Sequence, residues 1–241
     1  ETDVGFTGSE EALMTFNPEG LVIEINMSND VHTLDTIMDY QPNSYKLQGC
    51  HNFYPHSYSG LGLDYFKQCT RRFKQYGLKT AVFVTSQNAN TFGPWPVTQG
   101  LPSLELHRDL PMSVQVKHFL AMNDIDDILV SNCYASQAEL DQLKGLDLSL
   151  VTFDLDLVSG LSEIERKIIL DELHFNRGDQ SPNLIRSTQS RVKYKGHYFD
   201  LFNAPETIRR GDVVIESSKY GHYAGELQIA LQDMDNTGFS N

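Results

Sequence analysis

Along residues 1–150, apolar runs of strand type alternate with runs of helical period. "GLVIEINMSN" (20–29) is β-branched and apolar, and "DVHTLDTIMDY" then places Val31, Leu34, Ile37 and Met38 on one helical face. "SYKLQGC" (44–50) predicts a second strand, followed by "GLDYFKQCTRRFKQYG" with Leu63, Phe66, Cys69 and Phe73 aligned and Gly77 as the stop. "KTAVFVTS" (79–86) and "DDILVSNCYA" (126–135) predict two more strands. A helix over "MSVQVKHFLAMN" separates them, and a helix over "SQAELDQLKGL" follows, with Ser136 and Glu139 spaced as a capping box. "ETDVGF" reads as a strand end running into a loop and helix. Strand followed by helix, repeated, is the signature of β/α units on a parallel sheet.

The rhythm changes after residue 151. "LVTFDLDLVSGLSEIERKIILDELH" holds one strand-like stretch and one helix, after which "HYFDLF", "DVVIESS" and "AGELQIAL" read as short antiparallel strands between turns. The expected organisation is residues 1–155 as an α/β unit and 156–241 as a small, mainly β domain, both cut short by the ends of the chain. The α/β part lacks GxGxxG and GxxxxGK[ST], the turns that mark an open nucleotide-binding sheet. Its strands instead turn polar at their C-terminal ends, in "IEINMSN", "GCHNFYP", "VFVTSQN" and "LVSNCYAS". That pattern predicts a TIM-like (β/α)8 barrel. Eight strands need about 250 residues, so the N-terminal strands are expected to lie outside this chain.

Charge narrows the possible partners. The chain has 241 residues, with 32 acidic against 19 basic side chains and a net charge of -13. This disfavours a broad grip on nucleic acid or on an anionic membrane. Three cysteines without CxxC spacing argue against a disulfide framework or structural zinc, and the expected compartment is the cytoplasm. No run approaches the ~20 apolar residues of a membrane span.

The candidate chemistry lies at the strand ends. Glu24, Asn26 and Ser28 alternate onto one face of their strand, away from Ile23, Ile25 and Met27, as a substrate-facing set or a structural network. "GCHNFYPHSYSG" presents His51, Asn52 and Tyr54 together, which suits the hydroxyls and flat faces of a sugar. Metal binding is disfavoured, because His51 and His56 lack helical spacing and no HExxH occurs. A long loop after "KTAVFVTS" carries Trp95, Glu105, His107 and Arg108, as a functional lid or with Glu105 simply capping a helix or pairing with Arg108. In the second half, "LHFNRGDQSPNLIRSTQSR" gathers Arg177, Arg186 and Arg191, suited to phosphate or carboxylate or to surface ion pairs. No GxSxG elbow or cysteine nucleophile signature is present, so carboxylates among sugar-binding groups point to glycoside chemistry.

"LVIEINMSN", "GCHNFYP", "FGPWPVTQGLPSLELHRDLP", "HFNRGDQSPNLIRSTQSR" and "RRGDVVIESSKYGHYAGELQI" together resemble the bacterial MupG family of 6-phospho-N-acetylmuramidases, over essentially the whole chain. The resemblance implies a TIM-like barrel followed by a cyclophilin-like β domain. It further implies cytoplasmic hydrolysis, in cell-wall recycling, of a phosphorylated amino-sugar disaccharide into 6-phospho-N-acetylmuramic acid and N-acetylglucosamine, without a cofactor. On it, Asp3, Glu24 and Glu105 are the catalytic candidates, with Asp3 and Glu105 the preferred pair. Asn26, His51, Asn52, Tyr54, His107, Arg108 and Asn132 would line the sugar site, and Arg177 or Arg186 would take the phosphate or lactate. His222 stands where the family often has Arg or Lys, so Tyr220, Tyr223 and Glu226 could serve only in packing. Two other classes stay open: a non-catalytic sensor of a phosphorylated sugar, and a sugar-phosphate isomerase or aldolase, weakened because Lys46 and Lys79 lie at strand beginnings.

Overall fold

A computed structural model describes residues 5–29, 32–94 and 99–241, which leaves the expectation for Val31 outside the described residues. The chain forms two compact units, Glu1–Phe153 and Asp154–Asn241.

In the first unit, helix α1 (Gly8–Met14) starts at Thr7, whose side chain and Glu10 cap each other's backbone N–H groups. Strand β1 (Ile23–Asn26), helix α2 (Thr33–Asp39), strand β2 (Leu47–Cys50), helix α3 (Leu63–Gln75) and strand β3 (Lys79–Val84) follow. Helix α4 (Met112–Met122), strand β4 (Asp127–Val130) and helix α5 (Gln137–Lys144) complete the unit. The predicted strand over 44–50 is shorter, because Asn43 Oδ1 accepts the Tyr45 N–H and winds Ser44–Lys46 into a 3-10 turn.

The four strands lie parallel in chain order, β1-β2-β3-β4, in register from Ile23 beside Leu47 to Val84 beside Val130. Among the described residues the sheet is open, with β1 and β4 at its edges. One sheet face is apolar. Ile25, Met27 and Leu47 pack with Leu34, Ile37 and Phe73, while Val82 and Val84 pack with Phe66, Met112 and Phe119. Gly49 is required at this seam, since a Cβ there would lie 2.5 Å from the Phe73 ring and 2.9 Å from Met27 Sδ. The alternation puts Glu24 on the other face, where Gln48 Nε2, its partner across the strands, donates to Glu24 Oε2 at 2.6 Å.

The second unit is mostly short strands. Helix α6 (Glu163–Asp171) opens with a capping box from Ser162 and Glu165. Strand β5 (Leu184–Ser187), helix α7 (Gln189–Lys193), strands β6 (Thr207–Ile208) and β7 (Val213–Ile215), a 3-10 segment (Ser218–Tyr223) and strands β8 (Leu227–Ala230) and β9 (Met234–Asp235) follow. β5, β8 and β7 form an antiparallel sheet in that order, and β6 pairs with β9. One face of the larger sheet packs Ile215 and Leu227 against Ile168 and Phe199, and the other packs Val214 and Ala230 against Ile208.

"HYFDLF" is not a strand. Phe199 exchanges backbone and hydroxyl bonds with Ser218, and the Phe202 N–H goes to Asn241 Oδ1, so side chains satisfy that backbone instead of a ladder. The strand-like "LVTFDLDLV" likewise has no regular structure.

Candidate active site

The C-terminal ends of β3 and β4 open into a polar cavity of about 520 Å³, whose lining includes Ser86, Gln87, Asn88, Glu105, Arg108 and Asn132. Side-chain amides finish what the strand ladders leave unpaired. Asn132 Oδ1 accepts the Ser86 N–H at 2.8 Å while its Nδ2 donates to Ser86 O at 3.1 Å. Gln115, fully buried on α4, makes the same double bond to Thr85, at 2.8 Å each way. Glu139 caps α5 and also accepts Ser86 Oγ–H at 2.8 Å and the Gln87 N–H at 2.7 Å. The rim is therefore a bonded ring of strand end, loop and helix start.

Glu105 and Arg108 form one wall of the cavity. The Arg108 fork donates to both carboxylate oxygens at 2.7 Å, and its Nη1 reaches the carbonyls of Tyr54, Gln99 and Gly100. Glu105 also accepts the backbone N–H groups of Tyr58 and Gly60, each at 2.7 Å. Gly60 has no room for a side chain, because a Cβ would meet Glu105 Oε2 at 2.6 Å. The Arg108 hydrogen bonds, with those backbone donors, hold the Glu105 carboxyl down at about 2. At neutral pH it is ionised, so it fits the part of a base, a nucleophile or a structural anchor rather than a proton donor.

The structure separates the other predicted residues. His51 is fully buried on the helix side, stacked on Phe66 at 4.1 Å with its Nε2 2.9 Å from Thr70 Oγ1, and burial pushes it down to about 3. His107 is buried beside Phe119 with its Nε2 2.7 Å from His118 Nδ1, also pushed down to about 3, mainly by burial. Both are core histidines, displaced from the cavity by the aromatic packing around them. Asn26 accepts the Ser28 N–H at 2.8 Å, the Asn52 N–H donates to Ser28 Oγ at 2.7 Å, and Tyr54 is half-buried with its hydroxyl raised by burial. Of the predicted residues that are described, Glu105, Arg108 and Asn132 line the cavity. Asp3 and Trp95 lie outside the described residues. Sequence reasoning missed Gln115 and Glu139 as rim ties, and Asp109, an exposed cavity-lining carboxylate next to Arg108.

In the second unit, β5 runs through the arginine-rich segment and places Arg186 beside Gln228 of β8. Arg186 Nε donates to Glu226 at 2.8 Å, and Arg191 from α7 pairs with the other oxygen of that carboxylate at 2.8 Å. Arg177 bonds Asp179 at 2.6 Å, and its backbone N–H donates to Arg186 O at 2.9 Å. Arg186 lines a cleft of about 320 Å³ with Glu216, Tyr220, Tyr223 and Gln228.

Two family profiles cover almost the whole chain: 6-phospho-N-acetylmuramidase, N-terminal, over residues 2–145, and 6-phospho-N-acetylmuramidase, C-terminal, over residues 151–241. The chain belongs to the 6-phospho-N-acetylmuramidase family, a family of glycosidases. It is similar to the crystal structure of an uncharacterised B. cereus protein, with 44% identity and a TM-score of 0.92, over 100% of this chain and 69% of that one. It is also similar to a conserved Enterococcus faecalis protein of unknown function, with 26% identity and a TM-score of 0.65, over 99% of this chain and 63% of that one. No curated protein matches. For a 6-phospho-N-acetylmuramidase relative, the polar strand-end cavity and the arginine pair are the two features of note. The first offers hydroxyl-binding groups, and the second offers positive charge. Among the described residues no helix is long and apolar enough to cross a membrane, and no group of three His, Cys, Asp or Glu is placed to hold a metal ion.

Proposed function

We propose that the protein hydrolyses the bond between 6-phospho-N-acetylmuramic acid and N-acetylglucosamine, in the cytoplasm, as a step of peptidoglycan recycling. The observation that carries this is the match of both units, in order, to the two halves of one glycosidase family. The sheet supports a barrel. Among the described residues its strands run in chain order without the reversal of a doubly wound sheet. The second unit is proposed as the cyclophilin-like domain.

In this reading the cavity at the ends of β3 and β4 holds the sugar, with Asn132 and its neighbours shaping the floor. Glu105, kept ionised by Arg108, acts as nucleophile, base or electrostatic stabiliser, and the proton for the leaving oxygen comes from Asp3 or Glu24. Within the second unit, and separately from that cavity, Arg177 and Arg186 are candidates for binding phosphate or lactyl groups.

The test is product analysis by mass spectrometry with the phosphorylated disaccharide and its unphosphorylated form. Release of N-acetylglucosamine from the phosphorylated substrate alone is expected. Saturable binding without cleavage would replace the enzyme by a sensor of phosphorylated sugars. Near-wild-type turnover in Glu105→Gln would remove that residue from the chemistry.

A further inference from the structure

The face of the β5-β8-β7 sheet that carries Val214 and Gln228 also brings two carboxyl groups together. The register that sets Ile215 against Leu227 continues to Glu216 against Glu226: the Glu216 N–H donates to Glu226 O at 3.1 Å, and Gly225 N–H returns to Glu216 O at 2.7 Å. Residues directly opposite on antiparallel strands share a face, and like charges there repel. Both side chains are buried, Glu226 completely and Glu216 to within 4%.

The repulsion is relieved differently at each. Glu226 sits between Arg186 and Arg191, one on each oxygen. Glu216 accepts one bond, from Ser240 Oγ at 2.8 Å, and burial, aided by the charge of Glu226, pushes its carboxyl up, towards the protonated form. Arg186 and Arg191 converge on Glu226, and Asp179, itself bonded to Arg177, acts on Arg186 as well. Among the described residues, Arg186 donates through Nε alone. Its two terminal nitrogens have no hydrogen-bond partner among the described residues, and the residue lines the 320 Å³ cleft, at the small end of the range for small-molecule pockets. The Tyr223 ring lies 5.5 Å from the Arg186 guanidinium and 5.4 Å from that of Arg191, and it packs edge-on to Tyr220. Ile208 and Met234 supply an apolar wall. A free guanidinium fork asks for an oxyanion, and an aromatic and apolar wall asks for the face of a ring.

We propose that this cleft binds an anionic sugar ring, whose carboxylate or phosphate meets the free end of Arg186 while Glu216 and Gln228 bond its hydroxyl or amide groups. The sugar rests on the glycosidase reading above; the oxyanion rests on the arginine pair alone. Arg191 and Glu226 are positioning residues that hold Arg186 from behind.

The test uses the full chain with labelled arginine, following the side-chain Nε–H resonances of Arg186 and Arg191, assigned by their loss in Arg186→Lys and Arg191→Lys. Saturable shifts are expected with N-acetylmuramic acid 6-phosphate, together with at least tenfold weaker binding by Arg186→Lys and by the near-isosteric Glu216→Gln. Shifts with N-acetylmuramic acid identify the carboxylate as the bound group, and shifts with N-acetylglucosamine 6-phosphate identify the phosphate. Resonances that stay in place with all three sugars overturn the cleft, even if the disaccharide is hydrolysed. Shifts without hydrolysis keep the cleft and count against the glycosidase reading only.

Discussion

Two carboxylate–arginine clusters, one in each unit, are built from the same residue types and used in opposite ways. Around Glu105, one arginine meets one carboxylate, and Arg108 Nη1 reaches three carbonyls, so the charge is matched and most of the donors are used. Around Glu226, two arginines share one carboxylate, and the outer end of Arg186 has no hydrogen-bond partner among the described residues. The first arrangement ties the loop after β3 to the loop after β2 and holds Glu105 ionised at the cavity wall. The second stores recognition capacity. A salt bridge speaks for structure or for function only once every donor on it has been traced to an acceptor.

The largest effect that could break this contrast is on stability. Arg108→Ala strands a partly buried carboxylate and several carbonyls, and urea unfolding is expected to show a loss of about 3–5 kcal/mol. Arg186→Lys keeps a charge beside Glu226, with Arg191 still in place, and is expected to cost on the order of 1 kcal/mol. Equal losses from the two would dissolve the distinction. Next in size is the acid response. His51 and His107 resist protonation down to about 3 in the folded state, whereas an unfolded histidine accepts a proton near 6.5. Stability of the first unit is therefore complete above 6.5 and falls below it, by up to roughly 1.4 kcal/mol per pH unit for each histidine. Glu105 adds a further loss only between 4.5 and about 2. Glu216 works the other way: its raised carboxyl favours the folded state below 4.5, and that contribution is lost as pH rises through its folded value. Hydrogen exchange at pH 5 against pH 7.5 should show α3 and α4 losing protection while β7 and β8 hold theirs.

Smaller changes sharpen the same contrast. Gly60→Ala places a methyl against Glu105 and its backbone, and should cost about 1–3 kcal/mol and loosen the Glu105–Arg108 pair, visible as a rise of the Glu105 titration from about 2. Smallest are the helix caps. Ser136→Ala and Ser162→Ala should each cost about 1 kcal/mol. Only Ser136→Ala should also disturb the amide signals of Ser86 and Gln87, because Glu139 ties that cap to the cavity rim.

The β/α alternation, the parallel order of β1 to β4 and the capping box at Ser136 were all legible, because a half-buried strand or helix must repeat its apolar residues with the period of its backbone. The pairing of Glu105 with Arg108 was visible as one of two options, being separated by only one helical turn. His51 and His107 misled. Their neighbours mix polar and apolar residues, and each ring is closed in by Phe66 or Phe119 from the following helix. "HYFDLF" misled for a related reason: an alternating pattern shows which side chains are buried, and Phe199 is buried, but it does not show whether a partner strand exists.

By itself, the sequence determined the local periods, the helix starts and the stock of carboxylates and arginines, all of which depend on neighbours a few residues apart. Only the tertiary structure decided which of those charges are consumed. The partners of Arg108 come from the loops after β2 and after β3, and Glu216 faces Glu226 through strand register. Whether a charged group is an anchor or a binding element depends on how many of its hydrogen bonds the fold itself completes, and that number is set across distances the local pattern does not encode.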